Sequence, residues 1–486
     1  MRKYLVLSLF LLVLLFQAGG CVRYEVNRQS GEFDPQAGYR FDALEAASEN
    51  SDSLFVCLMF SGGGTRAAAL SYGVMEALRE TPIVIDGQEK SLLDEVDCIS
   101  SVSGGSFTAA YYGLFREALF EDFRPQFLER NIQRRLALGL FNPRNWLRLA
   151  SPYFSRIDMA AELYHREIFK EARFDGLEEQ GRPFIILNAT NLGSERRFEF
   201  TQDYFDAMGS RLDAYPVARA VAASSAFPYL LTPISLKNYS VAPDYKAPWW
   251  FQGALEPENW TTGRYNAARN LGVYLDEGNR YVHLMDGGLS DNIGARAVLD
   301  AYDRGFIRTR INQGEITQLV LIVVNARTES EDTLSGREKP PGFFTVAAKT
   351  ATVAMDNYSQ DSVARLREEL YARVQTQKDE QACIDLLAQN CPAAPRPFAL
   401  AAEVDPYVIE INFQAAALLP DEDPRYYLDL PTSFKLNPEQ VEKLVAIGPR
   451  LLRASPQFQC LLKVLEAEQQ GLPRPEECPM GAGIFP

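Results

Sequence analysis

A serine in a glycine-containing turn, between a strand-like run and a helical segment, constrains this fold more than any other feature. Residues 98–106 have the sequence Cys-Ile-Ser-Ser-Val-Ser-Gly-Gly-Ser and precede a segment rich in Ala, Tyr and Leu that predicts a helix. A serine on a sharp strand-to-helix turn exposes its hydroxyl at a helix N-terminus, as in a nucleophile elbow. Ser101–Gly105 matches G-x-S-x-G with Ser101 in place of the first glycine, which makes Ser103 the candidate nucleophile. A Ser/Gly-rich loop without chemistry has the same composition, so the turn alone does not decide.

Apolar runs that alternate with helical segments predict an α/β fold. Continuous apolar runs of this length are typical of strands buried on both faces of a sheet. The strongest runs are Leu54–Phe60, Phe184–Leu192, Tyr281–Met285, Leu319–Val324 and Val408–Phe413. We therefore expect a central, mostly parallel sheet with helices on both faces. One such helix ends before Pro228, and another begins at about Pro438 with Asn437 as its N-cap.

The charge balance limits the classes of partner. The formal net charge is -15, and nucleic-acid binding needs clustered Lys and Arg, so a nucleic-acid partner is not expected. An acidic chain has no general attraction to an anionic membrane either. Contact with lipid must then be local, apolar or enforced by a covalent anchor.

The N-terminus predicts such an anchor. Residues 1–3 are Met-Arg-Lys, Tyr4–Phe16 is almost uniformly apolar, and Gln-Ala-Gly-Gly-Cys ends the segment at Cys21. This is the pattern of a secretory signal peptide, too short for a comfortable transmembrane span. Small residues before a cysteine resemble a bacterial lipobox, which implies cleavage before Cys21 and lipidation of its thiol. Ordinary cleavage, with Cys21 as a spare thiol, is the alternative.

The other cysteines divide by context. Cys57 and Cys98 lie in apolar strand-like runs and are expected to be small buried side chains. In an oxidising periplasm the remaining four could form two disulfides, whose pairing the sequence does not give. These four are Cys383, Cys391, Cys460 and Cys478.

A glycine loop follows the first buried strand and permits three interpretations. Gly62–Ala67 fits the dinucleotide pattern G-x-G-x-x-A, and Asp86 ends a possible second strand about 20 residues later. Alternatively, the glycine amides form an oxyanion hole that donates to a developing negative charge. The third interpretation is a tight turn that only packs helix on strand. A Walker A site is excluded because no Gly-Lys-Ser/Thr follows.

A hydrolase built on Ser103 also needs a base. The chain has only two histidines, His165 and His283, and neither has a context that indicates catalysis. Asp286, in the Asp-Gly-Gly turn after a predicted strand, can accept the hydroxyl proton directly. We therefore expect a Ser-Asp dyad.

Two further segments are candidates for lipid contact or for packing. Arg130–Arg148 is basic and carries several Leu, Phe and Trp residues, so it could lie at a lipid surface beside the active site. We favour a cap packed on its own domain. Residues 236–270 are rich in Trp, Tyr, Pro and Asn, which fits either a lid or an irregular packed insertion.

Four motifs in order resemble the patatin-like phospholipases and the related cytosolic phospholipase A2 group. They are Ser-Gly-Gly-Gly-Thr-Arg (61–66), Ser-Val-Ser-Gly-Gly-Ser (101–106), Ala-Ser-Ser-Ala-Phe-Pro (223–228) and Asp-Gly-Gly (286–288). The resemblance spans roughly residues 54–326, and Leu430–Phe434 is similar to the end of bacterial members. It implies a three-layer α/β sandwich. Ser61 stands where many patatins have Asp, and Ser101 where they have Gly.

The resemblance also implies a role for each matching residue. Ser103 would be the nucleophile and Asp286 its activating base. Gly62, Gly63 and Gly64 would form the oxyanion hole, and Arg66 would face a substrate phosphate. An arginine there could instead brace the loop through a carboxylate. The implied reaction is lipid ester hydrolysis through an acyl-enzyme, as in phospholipase A or lysophospholipase enzymes. It needs no cofactor and no metal.

The domain and location expectations follow. The expected partners are a lipid substrate and a membrane surface, with the chain lipid-anchored in a bacterial envelope, at the outer membrane facing the periplasm. A dinucleotide-binding oxidoreductase and a catalytically silent lipid-binding lipoprotein are the alternative functions. The expected segments are a signal peptide (1–20), a tether (21–52), a hydrolase domain (53–455, with insertions near 236–270 and 376–400) and a Cys-containing extension (456–486).

Overall fold

The computed structural model describes most of the chain. The described residues are 23–24, 26–31, 33–45, 50–228, 230–248, 253–256, 258, 263–276, 278–329, 338, 340–391 and 404–479. The expected signal peptide and Cys21 lie outside them. Among the described residues, no helix has both the length and the apolar character needed to cross a bilayer.

Twelve strands occur in the described residues, and eight of them form one mixed sheet. In chain order, the strands are β1 (Arg28–Gln29), β2 (Leu54–Phe60), β3 (Pro82–Ile85), β4 (Gln88–Ser91), β5 (Val96–Val102), β6 (Phe184–Asn191), β7 (Arg196–Glu199), β8 (Ser210–Arg211), β9 (Ile234–Lys237), β10 (Tyr281–Asp286), β11 (Gln318–Asn325) and β12 (Asp405–Asn412). The main sheet has the order β12-β11-β2-β5-β6-β10-β9, with β7 paired to β6.

The centre of the sheet is parallel and buried on both faces. The five strands from β12 to β6 run parallel, whereas β7, β9 and β10 add antiparallel pairs at the β6 side. Every residue of β2, β5, β6 and β11 is buried. Successive side chains of a strand point to opposite faces, so both faces must be covered. This confirms the expected α/β sandwich.

Helices cover the two faces. In chain order, they are α1 (Phe41–Glu45), α2 (Thr65–Arg79), α3 (Gly104–Phe115), α4 (Ala118–Phe123), α5 (Ile132–Leu140), α6 (Pro143–Leu149), α7 (Arg156–Glu167), α8 (Phe174–Gln180), α9 (Gln202–Ala207), α10 (Val217–Ser224), α11 (Gly263–Gly272), α12 (Gly288–Asp291), α13 (Ala295–Arg304), α14 (Phe306–Gln313), α15 (Phe343–Asn390), α16 (Pro424–Leu428), α17 (Pro438–Ala454) and α18 (Pro456–Gln469). A π-helical turn occupies Arg124–Leu128, and 3-10 helical turns occupy Val273–Leu275 and Phe413–Leu418. Asn437 caps α17 by accepting from the Gln440 N–H, as predicted.

The described part of the expected tether is packed on the domain. Tyr39 is fully buried, and its hydroxyl accepts a hydrogen bond from the Ile185 N–H at 2.7 Å. Phe41 is also buried and stacks on Phe306 with ring centroids 4.1 Å apart. The mean composition of this segment is polar, but two aromatic side chains suffice to dock it. At Tyr39 and Phe41 the expected tether is therefore docked on the domain.

The C-terminal third also differs from expectation. The long helix α15 continues to Asn390, so the first part of the expected insertion at 376–400 is helical, and residues 392–400 lie outside the described part. Helix α18 of the expected extension packs on the core through the buried Phe458 and Leu461. The expected insertion at 236–270 is described only in part and contains the end of β9 and most of α11.

The cysteines pair differently from the expectation. Cys57 and Cys98 are buried as predicted, but they face each other on β2 and β5 and form a disulfide. Cys460 and Cys478 form a second one. The thiols of Cys383 and Cys391 are exposed and free. Cys57 and Cys98 are 41 residues apart and meet only because β2 and β5 pair in this register. The apolar runs predict the two strands but not their pairing, so the sequence did not predict this disulfide.

Candidate active site

The turn after β5 holds Ser103 in the strained conformation of a nucleophile elbow. Its backbone lies at φ 50°, ψ -115°, and α3 begins at the next residue. A Cβ on Gly104 would lie 2.0 Å from the Gly64 carbonyl oxygen, so only glycine allows the two loops to approach this closely. A non-glycine residue at positive φ is uncommon and is concentrated at functional sites.

Ser103 and Asp286 form a buried hydrogen-bonded pair. The Ser103 hydroxyl donates to Asp286 Oδ2 at 2.9 Å. The register of the sheet explains why the Ser103 and Asp286 side chains are in contact. Val102 lies opposite Asn188 on β6, and Asp286 lies opposite Ala189 on the other side of the same strand. The dyad residues therefore flank one strand at the same level, and their side chains meet above it.

Burial sets the electrostatics of the pair. Asp286 is 2% exposed, and burial raises the pKa of its carboxyl to about 7. Hydrogen bonds from the Gly288 N–H, at 2.9 Å, and from the Ser103 hydroxyl lower this pKa in part, because both stabilise the ionised form. A carboxyl with a pKa near neutrality is suited to accept a proton and to return it.

The Ala-Ser-Ser-Ala-Phe-Pro motif joins the two halves of the site. The Ser103 N–H donates to the Ser224 hydroxyl at 2.9 Å. The Asp286 N–H donates to the Ala226 carbonyl, and the Gly287 N–H donates to the Ser224 carbonyl, both at 3.1 Å. This segment at the end of α10 thus fixes the nucleophile elbow against the end of β10.

The glycine loop after β2 lies directly beside Ser103. Gly63 and Gly64 have φ values of +141° and +63°. Within the described residues, neither N–H donates to another group, so both are available to a ligand. The Gly62 N–H, in contrast, donates to the Asn292 carbonyl at 2.9 Å. Of the three glycines predicted for the oxyanion hole, Gly62 therefore does not fit as a donor, since its N–H is already occupied.

Arg66 occupies a supporting position. The side chain is buried, and its guanidinium donates to the carbonyls of Ala326 and Leu430, at 2.9 and 2.6 Å, and to the Thr432 hydroxyl at 3.1 Å. These bonds fasten the start of α2 to the end of β11 and to the segment before α17. These contacts favour the alternative of loop support over the predicted phosphate role, although the partners are backbone carbonyls and a hydroxyl rather than the expected carboxylate.

Two cavities of different character meet at Ser103. The first has a volume of about 620 Å³ and is lined by Asp286, the glycine loop and several charged side chains. Those charged side chains are Arg66, Arg327, Glu329, Lys349 and Asp429. The second has a volume of about 350 Å³ and a mostly apolar lining. Its apolar side chains are Leu136, Ala137, Leu140, Met159, Phe227, Leu230, Leu231 and Phe434.

The competing interpretations of the sequence find less support in the geometry. Asp86 follows β3, which pairs only with β4 in a separate antiparallel ribbon, so it does not end a strand beside β2. The dinucleotide arrangement requires that neighbouring strand. His283 is exposed on β10 and bonds to Ser235 through Nδ1, at 2.8 Å. No group of three metal-ligating side chains occurs in the described part of the chain.

Three supporting features were not assigned from the sequence. Ser224 orients the Ser103 backbone. The Asn292 side chain lies against the glycine loop. A side chain at position 62 would not fit there, because an added Cβ would be only 2.4 Å from the Asn292 Oδ1. The segment Leu430–Phe434 closes over the loop, with the Ser433 carbonyl accepting from the Thr65 N–H at 2.9 Å. Ser224 and the 430–434 segment belong to motifs quoted above, but the motifs alone do not give their contacts.

A family comparison agrees with these motifs. Residues 58–299 match the family model described as patatin-like phospholipase. Human GIVD cytosolic phospholipase A2 is 14% identical over 58% of this chain and 47% of that chain, with a TM-score of 0.34. The same human protein in complex with methyl gamma-linolenyl fluorophosphonate is 13% identical over 88% of this chain and 62% of that chain, with a TM-score of 0.41.

A third solved structure and the curated proteins complete the comparison. VipD from Legionella pneumophila is 12% identical over 87% of this chain and 71% of that chain, with a TM-score of 0.26. The chain thus matches about half to three-fifths of the length of the human structures. A search of curated proteins finds no match.

Proposed function

We propose that this chain, whose residues 58–299 form a patatin-like phospholipase domain, hydrolyses lipid carboxylic esters with a Ser103–Asp286 dyad. The observation that carries the proposal is the 2.9 Å hydrogen bond between the two side chains, in a pocket where burial raises the pKa of Asp286 to about 7. A buried carboxyl bonded to a strained serine is a nucleophile with its base.

In the acylation step, the Ser103 oxygen attacks the ester carbonyl carbon as its proton passes to Asp286 Oδ2. The carbonyl oxygen becomes an oxyanion, which the N–H groups of Gly63 and Gly64 stabilise. One such donor contributes roughly 3 kcal/mol of transition-state stabilisation. Asp286 then protonates the leaving alcohol, and an acyl group remains on Ser103.

In the deacylation step, Asp286 removes a proton from water, which attacks the acyl carbonyl. The same two amides hold the second oxyanion, and the proton returns to the Ser103 oxygen as the fatty acid leaves. Each proton moves between Asp286 and an oxygen atom, so the cycle needs no histidine.

The two cavities support a lipid as the substrate. An acyl chain suits the mostly apolar cavity beside α5, whereas a polar head group suits the charged cavity beside Arg327 and Lys349. Ser103 lines both, so an ester bond between an apolar and a polar part would lie at its hydroxyl.

A fluorophosphonate probe tests this proposal. Wild-type protein should be labelled at Ser103, with Ser103→Ala and Asp286→Asn almost unlabelled, and hydrolysis of defined phospholipids and glycerides should fall in parallel. The matched control is Thr108→Val, which removes another buried hydroxyl of α3, one that donates to the Ala68 carbonyl at 3.0 Å, and it should be labelled as the wild type is. Labelling that survives in Ser103→Ala would refute the assignment. An unlabelled wild-type protein that still binds lipid would favour a silent lipid-binding protein.

We further propose that lipidation of Cys21 anchors the chain to a bacterial outer membrane, facing the periplasm. The support is the basic and apolar sequence of residues 1–16 followed by small residues before the cysteine. The Cys460–Cys478 disulfide agrees with an oxidising compartment. Intact mass of native protein should show cleavage before Cys21 and a lipid adduct, and Cys21→Ser should release activity into the periplasmic fraction. Unmodified soluble native protein would contradict the anchor.

A further inference from the structure

The helical hairpin formed by α5 and α6 exposes large apolar side chains to solvent. Phe141 is 75% exposed, Trp146 59% and Leu138 55%, while Ile132 alone is buried among the residues of the two helices. The expected cap is therefore wrong in its main feature, since most of its apolar residues do not pack on the domain. Several large apolar side chains that are exposed on one short hairpin are typical of an interaction surface. We name residues 130–149 the hairpin surface.

The hairpin surface is also cationic, in contrast to the rest of the chain. The hairpin surface contains five arginines and no Asp or Glu, although the whole chain has a formal net charge of -15. Three of these arginines, Arg130, Arg135 and Arg148, pair with Glu167 or Glu162 of α7. Arg134 and Arg144 are exposed and form no salt bridge with the described residues. Exposed Leu, Phe and Trp interleaved with unpaired arginines match the face of a helix that lies in an anionic lipid interface.

The hairpin surface adjoins the opening of the apolar cavity. Ala137 and Leu140 are exposed and also line that cavity, as does Leu230, which is 63% exposed. A bilayer in contact with the hairpin would therefore meet the mouth of the space that ends at Ser103. The same helix, α5, would carry both the docking face and one wall of the cavity.

The hairpin is held in shape before any contact. The Trp146 indole N–H donates to the Leu140 carbonyl at 2.5 Å, and the Asn145 amide donates to the Gly139 carbonyl at 2.8 Å. Both bonds tie α6 to the C-terminal end of α5. A pre-formed surface loses little conformational entropy on docking, which favours association.

From this placement we propose that the hairpin surface docks the protein on an anionic lipid bilayer, with the apolar cavity opening toward the lipid. The occupant is a membrane rather than a second copy of the chain. A two-fold contact between copies would bring arginines against arginines, because the segment has no carboxylate of its own. Docking by this surface goes beyond ester hydrolysis and does not require turnover.

Hydrogen exchange of the full-length chain with vesicles tests the docking. Phosphatidylcholine vesicles containing phosphatidylglycerol should slow amide exchange over residues 132–149, and pure phosphatidylcholine should slow it less. The readout is local, so binding through the apolar segment Tyr4–Phe16 does not imitate it. Added salt should weaken the protection. Unchanged exchange in this segment with bound anionic vesicles would overturn the proposal.

Paired variants separate the charge from the apolar contribution. Arg134→Gln with Arg144→Gln should weaken vesicle binding roughly 25-fold, since each arginine near an anionic surface contributes about fivefold. Leu138→Ser with Phe141→Ser should weaken it roughly tenfold or more. None of these residues lines either cavity, so hydrolysis of a soluble short-chain ester should stay unchanged.

Matched controls and one alternative complete the design. Leu418→Ser with Leu472→Ser, and Arg28→Gln with Arg280→Gln, change exposed residues elsewhere and should leave binding as in the wild type. If the hairpin variants and these controls bound anionic vesicles equally well, the proposed docking role of the hairpin surface would be refuted. So would concentration-dependent self-association that the hairpin variants abolish while vesicle binding persists. Loss of hydrolysis in Ser103→Ala with normal docking would leave this inference standing, so the two proposals can fail separately.

Discussion

Replacement of the dyad carboxyl should stabilise the protein in a way that grows with pH. Asp286→Asn keeps the shape of the side chain, and its amide oxygen can still accept the bond from the Gly288 N–H. The variant removes only the charge that Asp286 acquires above its pKa. Because that charge is buried, the folded wild type is penalised for carrying it. Loss of activity would thus come with a gain in stability.

The magnitude follows from the pKa of the buried carboxyl. This pKa rises from 3.8 to about 7 on folding, so between these values the folded state binds a proton that the unfolded state has lost. Folding stability therefore falls as pH rises through this window. Each pH unit costs about 1.4 kcal/mol, for a total of about 4 kcal/mol above pH 7. About 3 kcal/mol of this develops between pH 5 and pH 8.5.

Thermal unfolding of both proteins across that pH range measures the effect. The melting temperature of Asp286→Asn minus that of the wild type should increase by about 3 °C from pH 5 to pH 8.5, at the unfolding entropy typical of this chain length. Asp421→Asn is the control. Arg450 lowers the pKa of this exposed carboxyl, so Asp421 stays ionised from pH 5 to pH 8.5. The difference in melting temperature between Asp421→Asn and the wild type should therefore stay constant over this range. A constant difference for Asp286→Asn as well would refute the burial argument.

Three further expectations follow from the same geometry. The kcat/KM of the wild type should fall tenfold per pH unit well below the pKa of about 7 at Asp286, because only the ionised carboxylate accepts the serine proton; a pH-rate profile checks this. Ser224→Ala should lower kcat on the order of tenfold with little change in KM, since it frees the Ser103 N–H; steady-state kinetics that show a KM effect alone would contradict it. Arg66→Ala should lower the melting temperature and reduce turnover of phospholipid and uncharged ester equally, whereas a selective loss on phospholipid would restore the phosphate role.

The sheet could be predicted because its strands are buried on both faces. Such strands are continuous apolar runs, and β5, β6 and β11 are all visible in the sequence for that reason. Their order could not be predicted, because parallel pairing joins residues that are distant in the chain. The Cys57–Cys98 disulfide and the separation of β3 and β4 from the main sheet both depend on that order.

The dyad was predictable, whereas its support was not. Ser103 follows β5 and Asp286 ends β10, each in a glycine turn, and the ordered set of four motifs, rather than either turn alone, marks them. Arg66 shows the limit, because the residue type is equally suited to a phosphate and to backbone carbonyls. Its partners come from Ala326 and Leu430, more than 250 residues away in the chain. Nothing near position 66 encodes them.

The failure of the cap prediction has a different physical origin. The segment Arg130–Arg148 has the amphipathic composition of a packed helix, and composition does not tell whether the apolar face meets protein or lipid. Whether the apolar face is buried depends on the elements that the fold places against it, and here only Ile132 of α5 and α6 is buried. A domain that stabilises its own fold gains nothing from leaving Trp146 and Phe141 in water. Under the docking proposal a lipid phase covers these side chains, and the adjacent opening of the apolar cavity at Leu140 is the feature that supports lipid over protein as the covering phase.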